Sequence, residues 1–155
     1  MRGGTRETSH GNILRDGISV KELDAFLDEL QSAFYAQDVD ELLRCISLPL
    51  IVYSVAGVSV LRDRAEFTKL VTDYRAALEA MKVVRGVKSI ESSDPVANNR
   101  QRVVVRNIDY NQAGQPVTSS LIRYFLVLKP EGYSIEMLEY IEAPVPLEVV
   151  EQLVH

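Results

Sequence analysis

A chain of 155 residues with 46% hydrophobic and 25% charged residues has the length and make-up of one ordinary globular domain, and it excludes collagenous, disordered and membrane-embedded compositions. A formal net charge of -5 offers no electrostatic attraction to nucleic-acid phosphates or an anionic lipid surface, so no nucleic acid and no membrane is expected as a partner. With no apolar run of about 18 residues and no signal-peptide pattern, a cytoplasmic location is the expectation.

Residues 1–18 are rich in glycine, threonine and charge and read as a flexible tail. Ser19 followed by Glu22 is a capping box, after which Leu23, Phe26, Leu27, Leu30 and Phe34 fall on one helical face, predicting a helix that ends near Gln37. Asp38 with Glu41 repeats the capping pattern for a shorter helix through Leu42, Leu43 and Ile46, stopped before Pro49. From Leu50 to Val60 the residues are mostly β-branched or aromatic and broken at Ala56-Gly57, which predicts a hairpin. Asp63 and Glu66 cap a third helix of about five turns, with Phe67, Leu70, Val71, Tyr74, Leu78 and Met81 at helical spacing.

Four strands follow, at Val83–Ile90, Arg102–Tyr110, Val117–Leu128 and Tyr133–Ile141, separated by short turns that imply an antiparallel meander. Val117–Leu128 is apolar on both faces and is expected to be central, with a second subunit covering the face this domain leaves open. Ala143-Pro144-Val145-Pro146 is expected to end the sheet, leaving residues 143–155 as an extension with a short helix through Leu147, Val150 and Leu153.

The order of these elements resembles the nuclear transport factor 2-like superfamily, in particular its SnoaL-like (polyketide-cyclase-like) small bacterial proteins. The likeness is carried by Phe34 to Leu42, by Glu66-Phe67 opening the long helix, and by Gly132 to Tyr140, and it spans roughly residues 19–142. The resemblance implies an α+β, cone-shaped domain in which a curved antiparallel sheet wraps a long helix around a pocket. Its members include isomerases, dehydratases, epoxide hydrolases, cyclases and binding domains, so fold alone does not choose an activity. The positions where the ketosteroid-isomerase branch would place carboxylates hold Val55 and Arg123, and the interior histidines of the scytalone-dehydratase pattern and an epoxide-hydrolase Arg-x-Asp alternation are missing.

Strand parity selects candidate site residues: if Val103 and Val105 face inward, so do Asn107 and Asp109, with Arg102 and Arg106 facing solvent. In the last strand Glu139 shares its parity with Tyr133, Ile135, Met137 and Ile141, placing an acid among core residues. Asp109 and Glu139 are the candidate general bases, because a carboxyl desolvated in a core acquires the raised pKa that such a role requires. Tyr53, Tyr74, Asn107, Arg123 and Met137 are the candidate ligand contacts, although for Arg123 a structural bridge to Glu139 is favoured over a contact to a substrate carboxylate. Cys45 lies in an apolar helical stretch, and His10 and His155 sit in the terminal segments, so neither thiol chemistry nor a metal site is expected.

These residues suggest a homodimer whose interior binds a small, largely apolar molecule with one or two oxygen functions, and no cofactor. Two alternatives are a cofactor-independent isomerase, dehydratase or cyclase, and a non-catalytic dimerisation module.

Overall fold

The structure, a computed structural model, describes residues 20–146. The capping residue Ser19, the tail, His10, His155 and the helix through Leu147, Val150 and Leu153 lie outside the described residues. The elements run α1 (Val20–Ala36), α2 (Val39–Cys45), β1 (Ile46–Ser54), β2 (Gly57–Leu61), α3 (Arg64–Ala80), β3 (Val83–Ser93), β4 (Arg100–Asn111), β5 (Pro116–Lys129) and β6 (Gly132–Pro146). The strands form one sheet in the order β2-β1-β6-β5-β4-β3, with β1 and β6 parallel and every other pair antiparallel.

The helix starts follow the capping chemistry. Asp38 accepts a hydrogen bond from the Glu41 amide at 3.1 Å, and Asp63 accepts one from the Glu66 amide at 2.9 Å. Glu66 in turn accepts from the Arg62 amide at 2.6 Å, closing the cap one residue before Asp63. α1 ends where Gln37 takes a left-handed conformation, φ 53°, which turns the chain into α2.

The core is one apolar cluster between the helices and the inner face of the sheet. α1 supplies Leu23, Phe26 and Leu27, α3 supplies Phe67 and Val71, and the sheet supplies Leu50, Val103, Val105, Ile122, Leu126 and Ile135. Each such aliphatic or aromatic side chain stabilises the fold by about 1.5–3 kcal/mol on burial.

Two proline expectations need correction. β1 begins at Ile46, three residues before Pro49, because its pairing with β6 is irregular between Ile46 and Ile51 and the missing proline N–H falls in that gap. β6 continues through Ala143-Pro144 to Pro146. Its ladder with β1 is finished at Glu139, and Ala143 and Pro144 fall in a shift of the β5 pairing, so Pro144 breaks no regular ladder.

β5 is central, flanked by β4 and β6. Its even-numbered residues Thr118, Ser120, Ile122, Tyr124 and Leu126 face the helices and are buried, whereas Leu121, Arg123, Phe125 and Val127 point to the other face and are half-buried. Among the described residues no helix packs on that outer face.

Candidate functional site

The concave side of the sheet and the three helices enclose a cavity of about 120 Å³. Leu30 and Phe34 of α1, Phe67, Val71 and Leu78 of α3, and Ile122, Ile135 and Leu138 of the sheet form its apolar walls. One end is polar, lined by Gln31, Tyr35, Tyr74, Lys88, Asn107, Asp109, Tyr124 and Tyr140.

Asp109 organises that end. It is 2% exposed, and its carboxylate accepts hydrogen bonds from the Tyr35 hydroxyl at 2.9 Å, from Asn107 Nδ2 at 3.1 Å and from Thr118 Oγ1 at 2.7 Å. Donors from α1, β4 and β5 thus converge on one charge, which satisfies a group that would otherwise be costly to bury. Gly86 stands opposite Asp109 in the β3–β4 ladder. A Cβ there would lie 2.2 Å from Gln31 Nε2, 2.7 Å from Asp109 Oδ1 and 3.0 Å from the Tyr35 hydroxyl, so the bare backbone of Gly86 makes room for the cluster.

Four phenols surround the cavity. Burial first, then the Asp109 charge, holds the Tyr35 hydroxyl protonated well above the ordinary tyrosine value. Burial does the same for Tyr74, Tyr124 and Tyr140. These phenols are neutral donors at neutral pH. Arg75 of α3 is buried and stacks its guanidinium 4.8 Å from the centre of the Tyr35 ring.

Lys88 points inward from β3. Its Nζ donates to Asn107 Oδ1 at 3.3 Å and lies 5.9 Å from the centre of the Tyr124 ring. Desolvation lowers its pKa from 10.5 to about 8, against the opposing influence of Asp109. Gln31 Nε2 is buried without a hydrogen-bond partner.

Of the residues singled out from sequence, Asp109, Asn107 and Tyr74 line this cavity. Tyr53, Arg123, Met137 and Glu139 do not. Glu139 pairs in register with Arg123 on one side and Tyr53 on the other, and its carboxylate forms an ion pair with the Arg123 guanidinium on the outer face of the sheet. The cause is a bulge in β6. Leu126 pairs with Ile135 but Phe125 with Met137, so Glu136 is an extra residue that reverses the parity: Ile135 is inward, Leu138 and Tyr140 are inward after it, and Met137 and Glu139 point out. Tyr53 is 43% exposed and shares the outer face with Ile51, while Leu50 and Val52 turn to the core.

Sequence pattern did not point to Lys88, Gln31, Tyr35, Tyr124 or Tyr140. Tyr35 follows Phe34 off the main helical stripe, and the two parities of β3 are equally mixed, Gly86-Lys88-Ile90 against Arg85-Val87-Ser89. The alternation of Ile122, Tyr124 and Leu126 was a usable signal, obscured by equally apolar neighbours.

Three other acidic or sulfur groups, Glu29, Glu41 and Cys45, lie close enough together to hold an ion. Glu41 is committed to Arg44, and burial pushes the Cys45 thiol up to about 11, which keeps it protonated.

No family model matches the chain, and no curated protein matches it either. Its structure does resemble solved structures. An NTF2-like protein with a cystatin-like fold from Novosphingobium aromaticivorans superposes with a TM-score of 0.63 at 14% identity, over 90% of each chain. A domain of unknown function with a cystatin-like fold from Nostoc punctiforme gives 0.61 at 17% identity, over 87% of this chain and 85% of that one. A ketosteroid isomerase-like protein from Erwinia carotovora gives 0.54 at 11% identity, over 80% of this chain and 97% of that one. The chain therefore has the α+β NTF2-like, cystatin-like fold that the order of its elements implies. No helix among the described residues is long and apolar enough to cross a membrane.

Two outcomes follow from the polar cluster. Gly86→Ala forces Asp109 or Gln31 from its place. The Asp109 oxygen is tied by its donors, so a loss of about 1–3 kcal/mol in urea unfolding is expected; an unchanged midpoint would show that the cluster is loose. For pH, an unfolded chain binds the Lys88 proton more tightly than the folded one between about 8 and 10.5, so Lys88 makes stability rise with pH across that window. Above about pH 10 the buried tyrosines, which hold their protons longer in the folded state, reverse the trend. Lys88→Met should flatten the rise between pH 8 and 10 in urea titrations relative to wild type; identical profiles would contradict the assignment.

Proposed function

We propose that the protein binds a compact, largely apolar small molecule bearing one or two oxygen functions in the interior cavity. The observation that supports this reading best is a cavity of about 120 Å³ whose walls are apolar while its polar groups collect at one end. Dry apolar cavities of about 150 Å³ admit a benzene-sized molecule, so the occupant is on the order of a single ring or short chain. Gln31 Nε2 supplies a donor not used by the protein. Lys88 and Asp109 together leave the polar end near neutrality, and an added carboxylate would bring an uncompensated charge into a poorly solvated site. A carbonyl or hydroxyl fits that balance.

The catalytic alternative, a cofactor-independent isomerisation, dehydration or cyclisation with Asp109 as general base, draws less support. Both of its carboxylate oxygens already accept hydrogen bonds, and Glu139 lies outside the cavity. Asp109 is better suited to fixing the polar wall than to removing a proton.

In thermal denaturation, neutral single-ring alcohols and ketones such as benzyl alcohol and cyclohexanone should raise Tm in proportion to the logarithm of their concentration above Kd, with about 2.7 kcal/mol of stabilisation at a hundredfold excess over Kd. Leu138→Phe, which fills the cavity from β6, should remove that rise while the variant stays folded by circular dichroism. A rise that survives the filled cavity would place binding elsewhere and sink the reading.

A second reading concerns the outer sheet face, and it is compatible with the first. Tyr53 at 43% and Val87 at 45% exposure join half-buried Ile51, Leu121, Phe125 and Met137 on a surface that no described helix covers. We propose that two copies of the chain pair through it. Sedimentation should give a dimer for wild type and a monomer for Phe125→Glu; a wild-type monomer at working concentration removes this proposal.

A further inference from the structure

Lysines seldom lie inside a protein unless a carboxylate pairs with them. Half-buried Lys88 reaches inward without such a pair: among the described residues it has no carboxylate within ion-pair distance, and its one hydrogen bond is a 3.3 Å contact to the neutral Asn107 amide. The nearby Asp109 is occupied by Tyr35, Asn107 and Thr118. An ammonium has three donors, so the Lys88 nitrogen retains unused capacity at the polar end of an apolar cavity. Lys88 also borders a shallow surface groove with Asp24, Leu27 and Asp28 of α1, so its side chain stands where the interior meets solvent. Asp109 from β4, Tyr124 from β5, and Asp24 and Asp28 from α1 are the ionisable groups around it.

We infer that Lys88 is a reactive amine that forms an imine with a small apolar aldehyde or ketone held in the cavity, an assignment that rests on the ligand-binding reading above. The lone pair of neutral Lys88 Nζ forms a bond to the carbonyl carbon, and the π pair of the C=O bond moves to oxygen, which takes up a proton as nitrogen gives one up. The resulting carbinolamine then loses its hydroxyl and the second N–H proton as water, and the C=N bond forms. The sequence is redox-neutral, consumes one carbonyl compound and releases one water. The depressed pKa of Lys88, about 8, supplies a useful fraction of the neutral nucleophile near neutral pH.

The chain contains Lys21, Lys69, Lys82, Lys88 and Lys129, which makes the test selective. The full-length protein is incubated with benzaldehyde and sodium cyanoborohydride near neutral pH, and benzyl-lysine is mapped by peptide mass spectrometry. Labelling of Lys88 should exceed that of exposed, ion-paired Lys69 and of exposed Lys82 and Lys129 by at least about tenfold. In Lys88→Arg that adduct should vanish without compensating label elsewhere. Even labelling across the lysines, or none at Lys88, overturns the inference. Benzyl alcohol distinguishes the two levels: if it still raises the wild-type Tm while Lys88 stays unlabelled, the imine assignment fails and the cavity reading stands; if neither effect is seen, both fail.

Discussion

One buried charge sets the geometry of this interior. The Asp109 carboxylate sits in the core side of the sheet and is satisfied only because Tyr35, Asn107 and Thr118 each deliver a donor to it from a different element. Breaking such a constellation leaves a charge or several donors unsatisfied in a poorly solvated place, at a cost of several kcal/mol on the order of a buried ion stripped of its partner. α1 is thereby tied to the β4–β5 ladder, and Gly86 keeps β3 thin enough for the tie to form. The polar end of the cavity is a consequence of that tie. The rest of the space is what remains between the apolar faces of α1, α3 and the curved sheet.

Legibility of this arrangement in the sequence depended on contrast between neighbouring residues. In β4 one parity carries Arg102 and Arg106 and the other Val103 and Val105, which marks the second as inward, and Asn107 and Asp109 follow by parity. The capped helices were equally plain, since Asp38 and Asp63 carry the side-chain acceptor that the first turn requires. β5 has no such contrast. Leu121, Phe125 and Val127 are as apolar as Ile122, Tyr124 and Leu126, and only the packed structure separates the outer set from the core set. β6 defeated parity for a different reason: its bulge at Glu136 has no glycine or other local mark, so the reversal that turns Glu139 outward is set by pairing with β5 rather than by β6 itself. Pro49 reads as the stop of a helix and Pro144 as the end of a strand because a proline lacks a donor, yet each lies within a strand where the ladder is irregular.

The two faces of the sheet thus divide the chemistry. The outer face carries ion pairs, Arg123 with Glu139 and Arg106 with Glu91 and Glu142, scattered among apolar side chains. These are the features of a surface suited to specific pairing, where charges fix register more than they add affinity. The inner face carries neutral phenols, one tied carboxylate and one lysine that has no acidic partner among the described residues. Those groups are the ones the proposed binding of an oxygen function would use.

The most direct measurement of the central claim is a crystal structure of the protein grown with benzyl alcohol. The account predicts ring density between α1, α3 and the concave sheet, with the hydroxyl within hydrogen-bond reach of Lys88 or Gln31 and the Tyr35–Asp109 contact intact. An interior collapsed onto itself, or a ring seated only on the outer face beside Tyr53 and Phe125, would contradict it.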